Sequence, residues 1–159
     1  MTLLNPPSQR SGCPIHIALE VVGDRWTLLV VRDLLFKGAH TYKALQNAGE
    51  GIATNILSDR LHTLVATGLV EKWPNPNDAR QHDYHLTEAG FALAPTLVEM
   101  VLWSAAHFET DAPPETLALM RSNRAEFLTL LHKQWQAGRN AVAMVSGGAI
   151  VPTPRRRKT

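Results

Sequence analysis

The stretch TNILSDRLHTLVATGLVEKW, Thr54 to Trp73, constrains the fold most, because it changes from helical to strand spacing across a single glycine. With Leu57 as the inward reference at about 100° per residue, Leu61 and Leu64 fall within about 40° of it. Asn55, Asp59 and His62 fall on the opposite side. Such a helix has one dry seam and one broad polar face. Gly68 can end it, and LVEKW then reads as a strand. A short, mostly polar helix set directly against a strand raises the question of what its wet face is for.

The neighbouring segments narrow the answer. Upstream, CPIHIALEVVGDRWTLLVVRDLLFKG places Ile15, Ala18, Leu19, Val22, Trp26, Leu29, Val30 and Leu34 at three-and-four spacing. That predicts a buried helix bent at Gly23, with Pro14 at its first position and Gly38 at its stop. Thr41 can cap a short helix that buries Tyr42 and Leu45 and ends near Gly49 and Gly51. Downstream, PNPNDARQ is a turn, and HDYHL is a return strand with Tyr84 and Leu86 on one face. A two-stranded ribbon is marginal alone and must pack on helices. Thr87 can cap EAGFALAPTLVEMVLWSAAHF, a helix apolar around most of its circumference, which Pro95 kinks or divides. So apolar a helix at the end of a small domain predicts a subunit interface. After DAPPE, one more amphipathic helix is predicted over TLALMRSNRAEFLTLLHKQWQAG, with Leu117, Met120, Phe127, Leu131 and Trp135 near one side. SGGAIVPTPRRRKT reads as disordered.

Composition excludes several function classes. The 159 residues, 45% of them apolar, suit one domain with its own core and a helical arm. The apolar runs around Ile15 to Phe36 and Phe91 to Phe108 are interrupted by Glu20, Asp24, Arg25, Arg32, Pro95 and Glu99, so no membrane span is expected. The N-terminus shows no secretory signal pattern, and a cytoplasmic location is expected. One cysteine, Cys13, rules out an internal disulfide framework and a zinc site built on paired cysteines. His82 and His85 would fall on opposite faces of a strand, and neither they nor His107 and His132 have convincing metal-ligand spacing. With no nucleophile elbow, phosphate-binding loop or dinucleotide fingerprint, neither catalysis nor a cofactor or metal is expected. The net charge of +2 includes four basic residues in the tail, Arg155 to Lys158. Removing them leaves 12 basic against 14 acidic residues, so binding to a polyanion has to rest on a local patch.

Helix, short helix, turn, polar-faced helix, strand, loop, strand, helix is the order of a winged helix-turn-helix: mainly α with a two-stranded β-wing. The polar-faced helix can enter a DNA major groove while the hairpin flanks it. A winged-helix domain used only for protein contacts is the competing reading. CPIHIALEVVGDRWTLLVVRDLL, GIATNILSDRLHTLVATGLVEK and YHLTEAG resemble the HxlR-type branch of the MarR superfamily of bacterial transcription regulators, over about Cys13 to Phe108. DARQHDYHLTEAG also resembles the superfamily's wing pattern, an Asp and an Arg two residues later followed by Leu-Thr and Gly. The resemblance implies a dimeric winged-helix regulator that binds a near-palindromic operator. The expected function is that of a homodimer on double-stranded DNA that represses, or alternatively activates, transcription by competing at a promoter. The expected organisation is a flexible arm at 1–12, the winged helix-turn-helix domain at 13–111, an additional C-terminal helix at 112–140 and a disordered basic tail at 141–159. The extra N- and C-terminal helices would serve dimerisation.

The polar face offers Thr54, Asn55, Ser58, Asp59 and His62 to base edges or nearby phosphates, and Asn55 can pair bidentately with adenine. A merely solvated face is the plainer reading. Asp59 meets phosphate repulsion unless it accepts from cytosine or pairs with Arg60, and Arg60 either orients the helix or reads bases. Arg80 at the wing tip, held by Asp78, can reach an adjacent minor groove; an ordinary polar loop is its alternative. Lys43, Lys37 and Lys72 can contact the phosphate backbone or simply be solvated. Cys13 precedes Pro14 at a helix start, where backbone N–H groups and the helix dipole favour a thiolate. The resemblance implies that a cysteine in this position senses oxidants or electrophiles. A buried, inert thiol is the alternative. A small-molecule inducer could also act, in a pocket lined by Trp103, His107 and Trp135, unless these aromatics bury the dimer seam.

Overall fold

A computed structural model describes residues 4, 10–75, 77, 78 and 80–140. The arm expected at 1–12 lies outside the described residues apart from 4 and 10–12, and the tail at 141–159 lies wholly outside them. In chain order the elements are α1 (Pro14–Val22), α2 (Thr27–Phe36), α3 (Tyr42–Gln46), α4 (Thr54–Ala66), β1 (Val70–Pro74), β2 (His82–Leu86), α5 (Glu88–Phe91), α6 (Ala94–His107), α7 (Pro114–Ser122) and α8 (Arg124–Asn140). The architecture is mainly helical with one antiparallel two-stranded sheet, a winged helix-turn-helix. Two compact units divide it: the first runs through residue 34 and resumes from 39 to 92, the second takes 35–38 and the chain from 93 onward. This division falls at Ala92/Leu93, whereas the sequence suggested a boundary after 111.

In the first unit, the long buried helix expected between Pro14 and Phe36 is two helices, and α1 contributes no buried residue. Ile15 is 71% and Leu19 59% exposed. Asp24 causes the break: its Oδ1 accepts from the Trp26 and Thr27 backbone N–H groups at 2.9 and 3.0 Å. Those amides then need no partner one turn back, and a new helix starts. Thr41 caps α3 as expected, its hydroxyl accepting from the Ala44 N–H at 3.1 Å. Leu45 is buried but Tyr42, expected inside, is only half-buried. Leu57, Leu61 and Leu64 bury one side of α4, and Val30, Val31, Leu34, Ile52, Val70 and Leu86 are buried in the same unit. Gly68 ends α4 at φ +77°, a conformation that costs glycine little.

The hairpin pairs Val70 with Leu86, Lys72 with Tyr84 and Pro74 with His82. The free edge of β2 is partly taken by the segment before α3: Thr41 bridges Asp83, and the Tyr84 N–H donates to the His40 carbonyl at 2.7 Å. The buried His85 ring stacks on His40 at 4.6 Å and on Trp73 at 4.5 Å. These contacts supply the footing that a two-stranded ribbon lacks alone. At the far end of β2, Thr87 caps α5 and donates its hydroxyl to the Gly68 carbonyl at 2.7 Å.

In the second unit, Pro95 stands in the first turn of α6, where a missing N–H costs nothing, so the apolar stretch is divided rather than kinked. Glu88 to His107, 20 residues, is long and apolar enough by composition to cross a membrane. Its continuous helix α6 has only 14 residues, about 21 Å against a hydrocarbon core of about 30 Å. α6 buries Ala94, Leu97 and Val98 and exposes Met100 and Trp103. The single C-terminal helix expected at 112–140 is also two, α7 and α8. Asn123 separates them by accepting from the Glu126 N–H at 3.1 Å while its amide donates to the Glu126 carboxylate at 2.7 Å, a reciprocal cap. Met120, Phe127 and Leu131 are buried as expected, whereas Leu117 and Trp135 are half-buried.

Candidate nucleic-acid interface

With its leucines turned inward, α4 leaves Thr54, Asn55, Ser58, Asp59 and His62 exposed along its other side. α3 braces this face. The Tyr42 hydroxyl donates to the Thr54 carbonyl at 2.8 Å and lies 3.2 Å from the Ser58 hydroxyl. The sequence reading treated Tyr42 as core and missed this brace. The available signal was the phenol itself, which needs a polar partner wherever its ring packs. The first turn of α4 has no side-chain cap, because Ala53 stands at that position.

Asp59 pairs with Arg60, one of the two ways foreseen for relieving its charge. Arg60 in turn donates from Nη1 to Asp24 Oδ2 at 3.0 Å. Asp24 Oδ2 also accepts from the Thr27 hydroxyl, and the Thr27 side chain is fully buried. Burial raises the Asp24 pKa, but hydrogen bonds from the Thr27 hydroxyl, the Trp26 and Thr27 amides and Arg60 outweigh it and hold the carboxyl below the usual carboxylate range. The Asp59 hydrogen bond, helped by Asp24 and opposed by desolvation, raises Arg60 further above its already high value. Sequence reasoning saw Asp24 only as an interruption in an apolar run.

At the wing tip the Arg80 side chain is 90% exposed. Asp78 orients it: Oδ1 accepts from Arg80 Nε at 3.1 Å and from its backbone N–H at 3.0 Å, and Oδ2 accepts from Nη2 at 3.2 Å. These bonds, with one from the Gln81 amide, hold the Asp78 carboxyl below its ordinary pKa. Asn75 closes the tip from inside, accepting from the Asn77 and Asp78 N–H groups at 2.8 and 3.1 Å and donating to Asp83 at 2.8 Å. Lys43 on α3 and Lys72 on β1 are exposed, and Lys37 is half-buried.

Cys13 is exposed at the N-cap position of α1, its backbone N–H donating to the Ser11 hydroxyl at 3.1 Å. Among the aromatics considered for a pocket, Trp103 is 59% exposed and lies against the His107 and Phe108 rings, while Trp135 lies against His132.

The HxlR-like helix-turn-helix family matches residues 21–112. The HTH-type transcriptional regulator Rv3095 of Mycobacterium tuberculosis (strain ATCC 25618 / H37Rv) is 38% identical over 104 residues, which cover 65% of this chain and 65% of that relative. The crystal structure of PA1607, a candidate transcription factor, superposes with a TM-score of 0.59 at 35% identity, covering 64% of this chain and 70% of that one. The reduced form of the transcriptional regulator YodB from B. subtilis gives a TM-score of 0.51 at 29% identity, covering 62% of this chain and 97% of that one. The matched region holds the bracing tyrosine, the leucine-seamed helix and the hairpin with its Asp78–Arg80 tip, and on that ground the chain belongs to the HxlR-like helix-turn-helix family.

Proposed function

We propose that this protein is a transcription regulator that binds double-stranded DNA sequence-specifically as a homodimer. It represses by occupying a near-palindromic operator. The carrying observation is the exposed surface of α4, where Asn55 and His62 stand opposite a buried leucine seam and Thr54 and Ser58 flank it, beside a hairpin whose arginine is held outward. Small and amide side chains of this kind suit base edges in a major groove, and an exposed guanidinium suits a narrow minor groove. The uncapped first turn of α4, with Lys43 and Lys72, supplies phosphate contacts. Two reading helices in a dimer would address half-sites roughly 34 Å apart on one face of the duplex. YodB, described in a reduced form, supports a thiol-linked trigger, here Cys13.

The test is selection by the purified protein from a random duplex library, followed by titration of the enriched duplex across salt. Arg80→Ala should weaken binding and flatten the slope of log K against log salt by about one. Equal affinity at every salt concentration would remove the wing from the interface, and absence of any enriched duplex would remove DNA binding itself.

A further inference from the structure

We propose that Arg60 is a positioning residue, one that locks the reading helix to the α1–α2 corner through Asp24 and offsets the charge of Asp59 without itself touching DNA. This rests on α4 being the helix that meets DNA. The two ends of the network differ in rigidity. Asp24 is fixed by the start of α2, because Oδ1 caps the Trp26 and Thr27 amides while Oδ2 is held by the hydroxyl of the fully buried Thr27. Arg60 reaches that fixed point at 3.0 Å with Nη1 and holds exposed Asp59 with Nη2. Its side chain is only 26% exposed, against 90% for Arg80. One arginine turns its fork inward and the other outward.

Charge and geometry lead to the same role. One guanidinium between two carboxylates leaves the group net negative, which disqualifies it as a phosphate clamp but removes most of the repulsion that Asp59 alone would present. The leucine seam of α4 is apolar and non-directional, so it resists withdrawal of the helix better than rotation about its axis. The bond from Nη1 to the fixed Asp24 carboxylate supplies the missing direction, while Nη2, held by Asp59 on the same helix, keeps the guanidinium fork aimed at it. Asn55 and Ser58 can read bases only if that rotation is set.

Asp24→Asn separates the two jobs of Asp24: the amide oxygen keeps the α2 cap, while an NH2 group now faces the Arg60 guanidinium, donor against donor. On the duplex selected by the wild-type protein, Asp24→Asn and Arg60→Gln should each lower affinity on the order of tenfold, and the double variant no further than either. The salt slope should stay that of the wild type in all three. Arg60→Lys keeps the charge but not the fork and should also lose affinity, although a phosphate contact would tolerate it. Affinities are to be read at temperatures where the far-UV circular dichroism of the variants and the wild type coincides, which separates positioning from unfolding. In DNA-free protein, amide exchange over the first two turns of α4 should quicken in both single variants. Additive losses, a slope flattened by Arg60→Gln alone, or wild-type affinity in both single variants would overturn the clamp while leaving DNA binding in place. A wild-type protein that selects no duplex would overturn both.

Discussion

Gly90 occupies a position where a side chain has no room: a Cβ there would lie 2.1 Å from the Leu69 carbonyl oxygen, a backbone atom that cannot swing aside. The same few residues tie the end of α4 to the start of α5 through the Thr87 hydroxyl, so the strain would spread into the root of the hairpin. Gly90→Ala should therefore lower the unfolding free energy in a urea titration by about 2–3 kcal/mol. A loss within a few tenths would show that this turn yields easily. At this scale the sequence was legible where a capping residue stands before its helix, as Thr41 and Thr87 do. It was opaque at Asp24 and Asn123, which break helices inside runs whose three-and-four spacing continues across them. Apolar spacing records which residues avoid water, and two short helices can share a spacing that one long helix would also satisfy.

Among the elements, α1 departs most from what its pattern suggested. Its apolar residues follow helical spacing, yet none of them is buried, so the pattern does not mark a core among the described residues. Cys13 stands exposed at its N-cap, and α1 ends where Asp24 begins the corner to α2. If the thiol is the trigger, treating the protein with diamide should release the selected duplex, and Cys13→Ser should retain DNA under the same treatment. Because no second cysteine exists in the chain, the oxidised product should be an intersubunit or mixed disulfide, visible by mass under non-reducing conditions. An unchanged response in Cys13→Ser would move the trigger to a noncovalent ligand. The polar side of α4 and the Asp78–Arg80 pair were readable in advance because their spacing is local. The Arg60–Asp24 link joins residues 36 positions apart, and no local pattern announces it.

For the whole molecule, the run of short helix, polar-faced helix and hairpin was legible from the sequence, but the pairs α1–α2 and α7–α8 each read as one helix. Exposed apolar side chains occur in each unit: Ile15 and Leu19 in the first, Met100, Trp103 and Phe108 in the second. Isolated exposed apolar residues are ordinary, but repeated ones on α1 and α6 fit the proposed homodimer. Trp103→Glu should then move the protein from dimer to monomer in sizing chromatography at micromolar concentration, with its helical circular dichroism retained. A wild-type protein already eluting as a monomer would remove the dimer from the proposal. The described residues of the wing meet the rest of their unit along β2, through the Thr41 bridge to Asp83, the His40 contacts and the stacked rings, whereas Asn75 and Asp78 hold its tip with local bonds. A tip held largely by bonds between near neighbours in sequence can exchange exposed residues such as Arg80 with little effect on the strands beneath it. Over evolutionary time such a hairpin would let related regulators acquire new target preferences while their common framework stays unchanged.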